Sequence, residues 1–349
     1  MRCVCSTGRL SGGEISLSLG FPSLFWYNDN MRKCLRWIAF IVMVLLVVAV
    51  VYNWQWISDY ARGLSYHPIG EMGRIMSELG LTDRGEFLFK AVQPTLSSRD
   101  EFNEKCRTVM DDEVAVLGCY VGDNVYVYNI DSAELAGIRE LTAAHELLHA
   151  VWARMSDEEK EEMSGELKKV LSGAQYLDDE LEIYDAGQRQ EELFVRAGTE
   201  VAKLPDALEE KYAEVFSDQD RIVAFYDKYI AVFRAMEAEM DQLMVEMKDI
   251  ETRINELMTE YEQRFAQLEA DVESFNSCAE VAGCFGSEGE FYARRSALVA
   301  EQDALEIMYD EINGLIDNYN TKVERYNTDV TRTEKLNRMI NSNTRPEEL

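Results

Sequence analysis

The chain has 349 residues and 47% of them are apolar, enough to bury a sizeable core, so global disorder is excluded. Prolines number 5 and glycines 20, against an abundance of Glu, Lys, Ala, Leu and Met; that balance points to helices and away from an all-β sandwich or barrel. The formal net charge is −30, and a chain this acidic repels phosphate backbones, which argues against nucleic acid as a partner.

The charge is unevenly placed. Residues 1–57 hold five basic and two acidic side chains, the remainder 30 and 63. Residues 1–36 read as a cytoplasmic N-terminal segment. Its first 30 residues are rich in Gly and Ser and have no steady period, and Met31-Arg32-Lys33 is a second candidate start beside Met1. Residues 37–52 then run without a single charge. Extended through residue 57, the run reaches the ~20 residues that a bilayer requires, so 37–57 is read as a transmembrane signal anchor. Arg32, Lys33 and Arg36 precede it and Asp59 follows; the positive-inside rule keeps the N-terminus cytoplasmic and makes the rest extracytoplasmic. Tyr52, Trp54 and Trp56 suit an interfacial aromatic belt, and bulky Tyr52-Asn53-Trp54 stands where a cleaved signal would have a small-x-small site. Four of the seven cysteines lie beyond the span. In an oxidising compartment their even number suggests two local disulfides, Cys106–Cys119 and Cys278–Cys284.

Residues 58–217 read as one small α+β domain. Residues 58–113 look mixed and mostly helical. The alternation in 115–130 around Gly122-Asp123-Asn124 predicts a β-hairpin. A helix is expected over 138–154, and a second from the capping box Ser156-Asp157-Glu158-Glu159 to about Leu171. Others are expected over 178–186, 188–202 and 206–216.

Beyond residue 217 the period changes. Met240, Leu243, Met247, Ile250, Ile254, Leu257 and Tyr261 alternate three and four apart, a coiled-coil seam. It continues, shifted by one residue, through Phe265, Leu268, Val272 and Phe275. After a break at 277–288, a second stripe runs through Leu305, Met308, Ile312, Leu315 and Tyr319, then, shifted again, Val323, Tyr326 and Val330. Residues 218–341 are therefore expected to form a long antiparallel coiled-coil hairpin with a disulfide-closed tip, each helix of ~55 residues reaching about 80 Å. The heptads leave open a homo-oligomer or a protein partner, and 342–349 reads as a flexible polar tail.

The chain has three histidines, His67, His145 and His149, and two of them fall in His145-Glu146-Leu147-Leu148-His149, the HExxH pattern of zinc peptidases. Positions i and i+4 share a helix face with about 6 Å of rise, so two imidazoles can reach one zinc ion. Glu146, beside the first ligand, is the candidate catalytic base. A catalytic zinc of this class takes a third protein ligand. His67 is one candidate; Glu191, Glu192 and Glu200 are others, and the residues alone do not choose among the glutamates.

The HELLH segment followed by a glutamate-bearing helix resembles the glutamate-zincins. More closely, Leu117-Gly118-Cys119-Tyr120, the run TAAHELLHA at 142–150, and Glu192-Leu193 through Gly198-Thr199-Glu200 resemble a family of membrane-anchored, largely uncharacterised bacterial zinc proteins. The resemblance covers roughly residues 100–220 and implies Glu192 as third ligand, ahead of Glu191. Glutamate-zincins often carry an acidic residue four positions after that ligand to orient a zinc histidine. Here the position is Arg196, so another residue, Glu200 being the nearest candidate, would have to do it. Tyr184 is a candidate oxyanion stabiliser. The expected architecture is mainly α: a transmembrane helix, a zincin-like domain with a β-hairpin, then the coiled-coil hairpin. The expected activity is membrane-anchored, zinc-dependent hydrolysis of a peptide or protein substrate outside the cytoplasm. The competing expectation is a non-catalytic coiled-coil envelope scaffold with a structural or degenerate zinc site.

Overall fold

The computed structural model describes residues 24–108 and 116–342. The segment before residue 24, with Cys3, Cys5 and Met1, and the tail beyond Ser342 lie outside the described residues. The chain divides into two compact units, one up to Ser58 and one beginning at Asp59.

The first unit contains α1 (Leu24–Tyr52) and the start of α2 (Trp54–Ser65). Met31–Tyr52 is long and apolar enough to cross a membrane, and none of it is buried within the protein. A one-residue turn at Asn53 separates α1 from α2; its side chain donates to the Ala49 carbonyl at 2.8 Å, and the backbone N–H groups of Asn53 and Ile57 still bond four residues back.

The second unit is mostly helical. In chain order it holds α3 (Gly70–Glu78), α4 (Asp83–Val92), β1 (Thr95–Ser97), α5 (Arg99–Cys106), β2 (Gly118–Val121), β3 (Asn124–Tyr128), α6 (Ile138–Arg154) and α7 (Asp157–Gly173). Then come α8 (Gln175–Glu180), α9 (Ala186–Glu200), α10 (Asp206–Ala213), α11 (Gln219–Ala279) and α12 (Glu288–Ile340). β2 and β3 form the expected hairpin, with both central turn residues, Gly122 and Asp123, at positive φ, as a tight two-residue turn requires. β1 was not foreseen. It pairs parallel with β3 and gives the sheet the order β1-β3-β2.

The core is built around α6, which is buried on most of its surface through Ala143, Ala144, Leu147, Leu148, Ala150 and Val151. It packs on β2, β3, α4, α9 and α11. Trp152, Phe194 and Tyr212 stack in series with ring centroids 5.2 and 5.0 Å apart, tying α6 to α9 and α10. Gly198 permits the closeness of α9: a Cβ there would lie 2.6 Å from Leu148 Cδ1 and 2.7 Å from Tyr212 Cε1. A second cluster joins Phe102, Cys106, Cys119, Tyr128 and Ile138 to Met236 of α11 and Leu336 of α12. The sulfurs of Cys106 and Cys119 are at bonding distance, 1.99 Å, as are those of Cys278 and Cys284, 1.88 Å.

The two long helices contact each other along their length. Later residues of α11 meet earlier residues of α12, as in Arg253–Glu311 (3.2 Å) and Arg264–Glu301 (2.8 Å). Leu243, Leu257, Leu305, Met308 and Ile312 are buried, and Leu257, Met308 and Ile312 form one cluster joining the two helices. Phe265 and Val272, read as a continuation of the seam, are exposed instead; the contact keeps its register through Arg264 and its partner Glu301. Ser342, read as the start of a flexible tail, is buried. Its hydroxyl donates to the Val116 carbonyl and its own carbonyl accepts from Asn103.

Candidate metal centre

Two helices supply the site. On α6, His145 and His149 are one turn apart with ring centroids 5.1 Å from each other. On α9, Glu192 faces both: its Oε1 lies 3.6 Å from His145 Nε2 and its Oε2 lies 3.4 Å from His149 Nε2. The three side chains each offer a ligand atom within 4.8 Å of the others, a grouping that could hold a metal ion. Four-coordinate metal bonds of ~2.1 Å place ligand atoms about 3.4 Å apart, so the spacing fits one cation with little movement. The side chains are 24%, 17% and 13% exposed, so the cluster is partly open to solvent.

Glu191 occupies the other face of His149, with its Oε1 2.8 Å from Nδ1. That contact fixes which imidazole nitrogen is left for a metal, namely Nε2, the one turned toward Glu192. Glu146, next to His145 on α6, is buried with its carboxylate against β2, close enough to His149, Glu191 and Glu192 for their charges to act on it. A Cβ at Gly118 would sit 2.5 Å from its Oε1, so only glycine in that strand leaves room for the carboxylate.

Four ionisable groups of the site are shifted strongly from their ordinary values. Burial pushes the Glu146 carboxyl up to about 7. Burial also depresses the His145 imidazole to about 4. On His149 burial acts in the same direction, but the hydrogen bonds to Glu191 and Glu192 outweigh it and carry the group up to about 10. For Glu192 burial would raise the carboxyl; the facing histidines, with Arg196, hold it near 2. Two carboxylates, Glu191 and Glu192, contact the imidazoles and Glu146 is buried close by, a donor set that suits a divalent cation.

The structure brings together His145, His149 and Glu192, with Glu146 beside them on α6. His67 is exposed and outside the cluster. Glu200 does not reach a histidine: it pairs with Arg196 at 2.9 Å, and Arg196 also holds Glu180. Tyr184 is half-buried, its hydroxyl raised to about 12 by burial and by the charges of Glu192 and Glu146. The sequence reading missed the part played by Glu191 on Nδ1, having weighed it only as a ligand. Gly118 and Gly198 were noted only as motif letters, whereas a Cβ at Gly118 would meet Glu146 and one at Gly198 would meet Leu148 of the same helix. Compared with known protein families, curated proteins and solved structures, the chain finds no match.

Proposed function

We propose that the protein is a membrane-anchored zinc metallopeptidase of the glutamate-zincin kind, acting on peptide or protein substrates outside the cytoplasm. The observation that carries this proposal is the meeting of His145, His149 and Glu192 from two helices, beside a buried glutamate in the HExxH position. A two-imidazole, one-carboxylate donor set favours zinc, with one coordination position left over for chemistry. Bound there, zinc supplies Lewis acidity toward the scissile carbonyl and its attacking water. Glu146 takes the proton from that water, a task suited to a carboxyl whose affinity for protons has been raised to about 7, and returns it to the departing amine. Glu191 holds the His149 ring in place, and Tyr184, near enough to Glu192 and Glu146 to feel their charges, is assigned as the donor to negative charge that develops on the carbonyl oxygen.

The extracytoplasmic placement draws support from the cysteines. Both pairs at bonding distance follow the apolar helix, whereas Cys34, near the N-terminal end of that helix, is exposed and free. In the same proposal α11 and α12 form an antiparallel coiled-coil hairpin that carries partner or spacing functions. The direct test is hydrolysis of a peptide library by the full chain in lipid nanodiscs, wild type beside Glu146→Gln. A loss of at least 100-fold in turnover with metal content unchanged is expected, the range of a lost general base. Equal turnover in the variant would overturn the assignment.

A further inference from the structure

The two long helices close on each other by different means on their two flanks. On one flank Glu239 pairs with Arg325, Glu246 with Lys322 and Arg253 with Glu311. On the other flank the side chains are mostly apolar, Glu251 being the one charged group at the same heptad position of α11. Met244, Met258, Phe265 and Val272 recur along α11 at multiples of seven residues; Tyr309 and Ile316 on α12 are seven apart; all six are between 37% and 53% exposed. They form one surface, because the Tyr261 ring stacks on Phe265 at 5.9 Å and meets Tyr309 at 6.2 Å across the two helices. Helical spacing puts the ion pairs and the stripe on opposite sides of the buried row through Leu257 and Met308. Positions flanking a two-helix seam normally carry charge; apolar residues there belong to helices that have a further helix against them. The one-residue shift in the apolar pattern at Phe265 thus marks a second face, separate from the seam. From Met258 to Val272 the stripe runs unbroken for about 21 Å, and Met244 continues it beyond Glu251.

The charge beside the stripe selects the occupant. Residues 244–272 carry eight acidic and three basic side chains, and residues 299–317 carry six acidic and none basic. The three basic groups, Lys248, Arg253 and Arg264, are already engaged by Glu251, Glu311 and Glu301. A second copy laid stripe to stripe would set two such acidic borders against each other. We propose that this flank docks one amphipathic helix of another protein, apolar at heptad spacing and bordered by Lys or Arg. The proposal goes beyond the peptidase assignment and does not depend on a metal.

The test uses the full chain in zwitterionic nanodiscs and a synthetic 28-residue helical peptide with Leu at heptad positions and Lys on both borders. Two further peptides control for chemistry: the same composition with the Leu positions scrambled, and the Leu pattern with Glu borders. The expected result is saturable binding of the patterned Lys peptide alone. That binding weakens at least tenfold in the Met258→Glu/Phe265→Glu variant and is unchanged in Val245→Glu, which alters an exposed residue on the far side of α11. Equal binding of the scrambled peptide would reduce the effect to bulk charge and overturn the proposal. So would unchanged binding in the double variant, and so would a stable dimer in sedimentation that the double variant dissolves, which would make the occupant a second copy.

Discussion

At the scale of single residues, the site depends on neighbours as much as on its three ligand candidates. Glu191 touches Nδ1 of His149 and leaves Nε2 facing Glu192. Removing it frees the ring to rotate and to change tautomer. Glu191→Ala is therefore expected to weaken metal binding by 10- to 100-fold, read by competition with a coloured chelator, the range found when carboxylates behind metal-bound histidines are lost. Unchanged affinity would assign Glu191 to the surface. The HExxH spacing made two imidazoles on one helix face legible from sequence, since i and i+4 neighbours are fixed by local geometry. The choice between Glu191 and Glu192 was not legible, because it depends on how α9 is rotated against α6. That rotation is set by Gly198 lying against Leu148 and Tyr212, a contact between distant parts of the chain.

At the scale of elements, local signals were reliable and long-range ones were not. The capping box of α7 is present as read, with Ser156 and Glu159 bonded reciprocally. So are α6, at the expected bounds, and the hairpin with its two-residue turn. β1 escaped notice because three residues pairing with a strand some thirty positions later have no period of their own. The cap of α7 also links to α10: Lys211, almost wholly buried, donates to Glu159 at 2.8 Å. Lys211 and the Ser156 backbone hold the Glu159 carboxyl near 2, below its ordinary value of 4.5. Because the folded form binds the proton less readily, the stabilisation is fully present above pH ~4.5 and is lost as pH falls toward 2. Glu159→Gln keeps a capping side chain but not the charge. Its deficit, below about 1 kcal/mol for a partly exposed pair, is expected to be constant near pH 7 and to vanish as denaturation is repeated toward pH 2. A deficit that persists at pH 2 would separate the two groups.

At the scale of the whole molecule, an apolar helix precedes a strongly acidic, cysteine-paired body. If that body is extracytoplasmic, an impermeant maleimide applied to right-side-out vesicles should label Ser296→Cys, on the exposed surface of α12, and leave Cys34 untouched; the reverse pattern would invert the topology. Heptads announced the long helices, yet the exposure of Phe265 and Val272 could not be read from spacing alone, since a seam and a docking flank share a period of seven. The account rests on one cation bound by α6 and α9 together, and the most direct measurement is the metal content of the purified full chain, wild type beside His149→Ala. About one zinc ion per wild-type chain, with less than a tenth of that in the variant, is the predicted result. A wild-type chain that takes up no metal, or a variant that retains it in full, would contradict it.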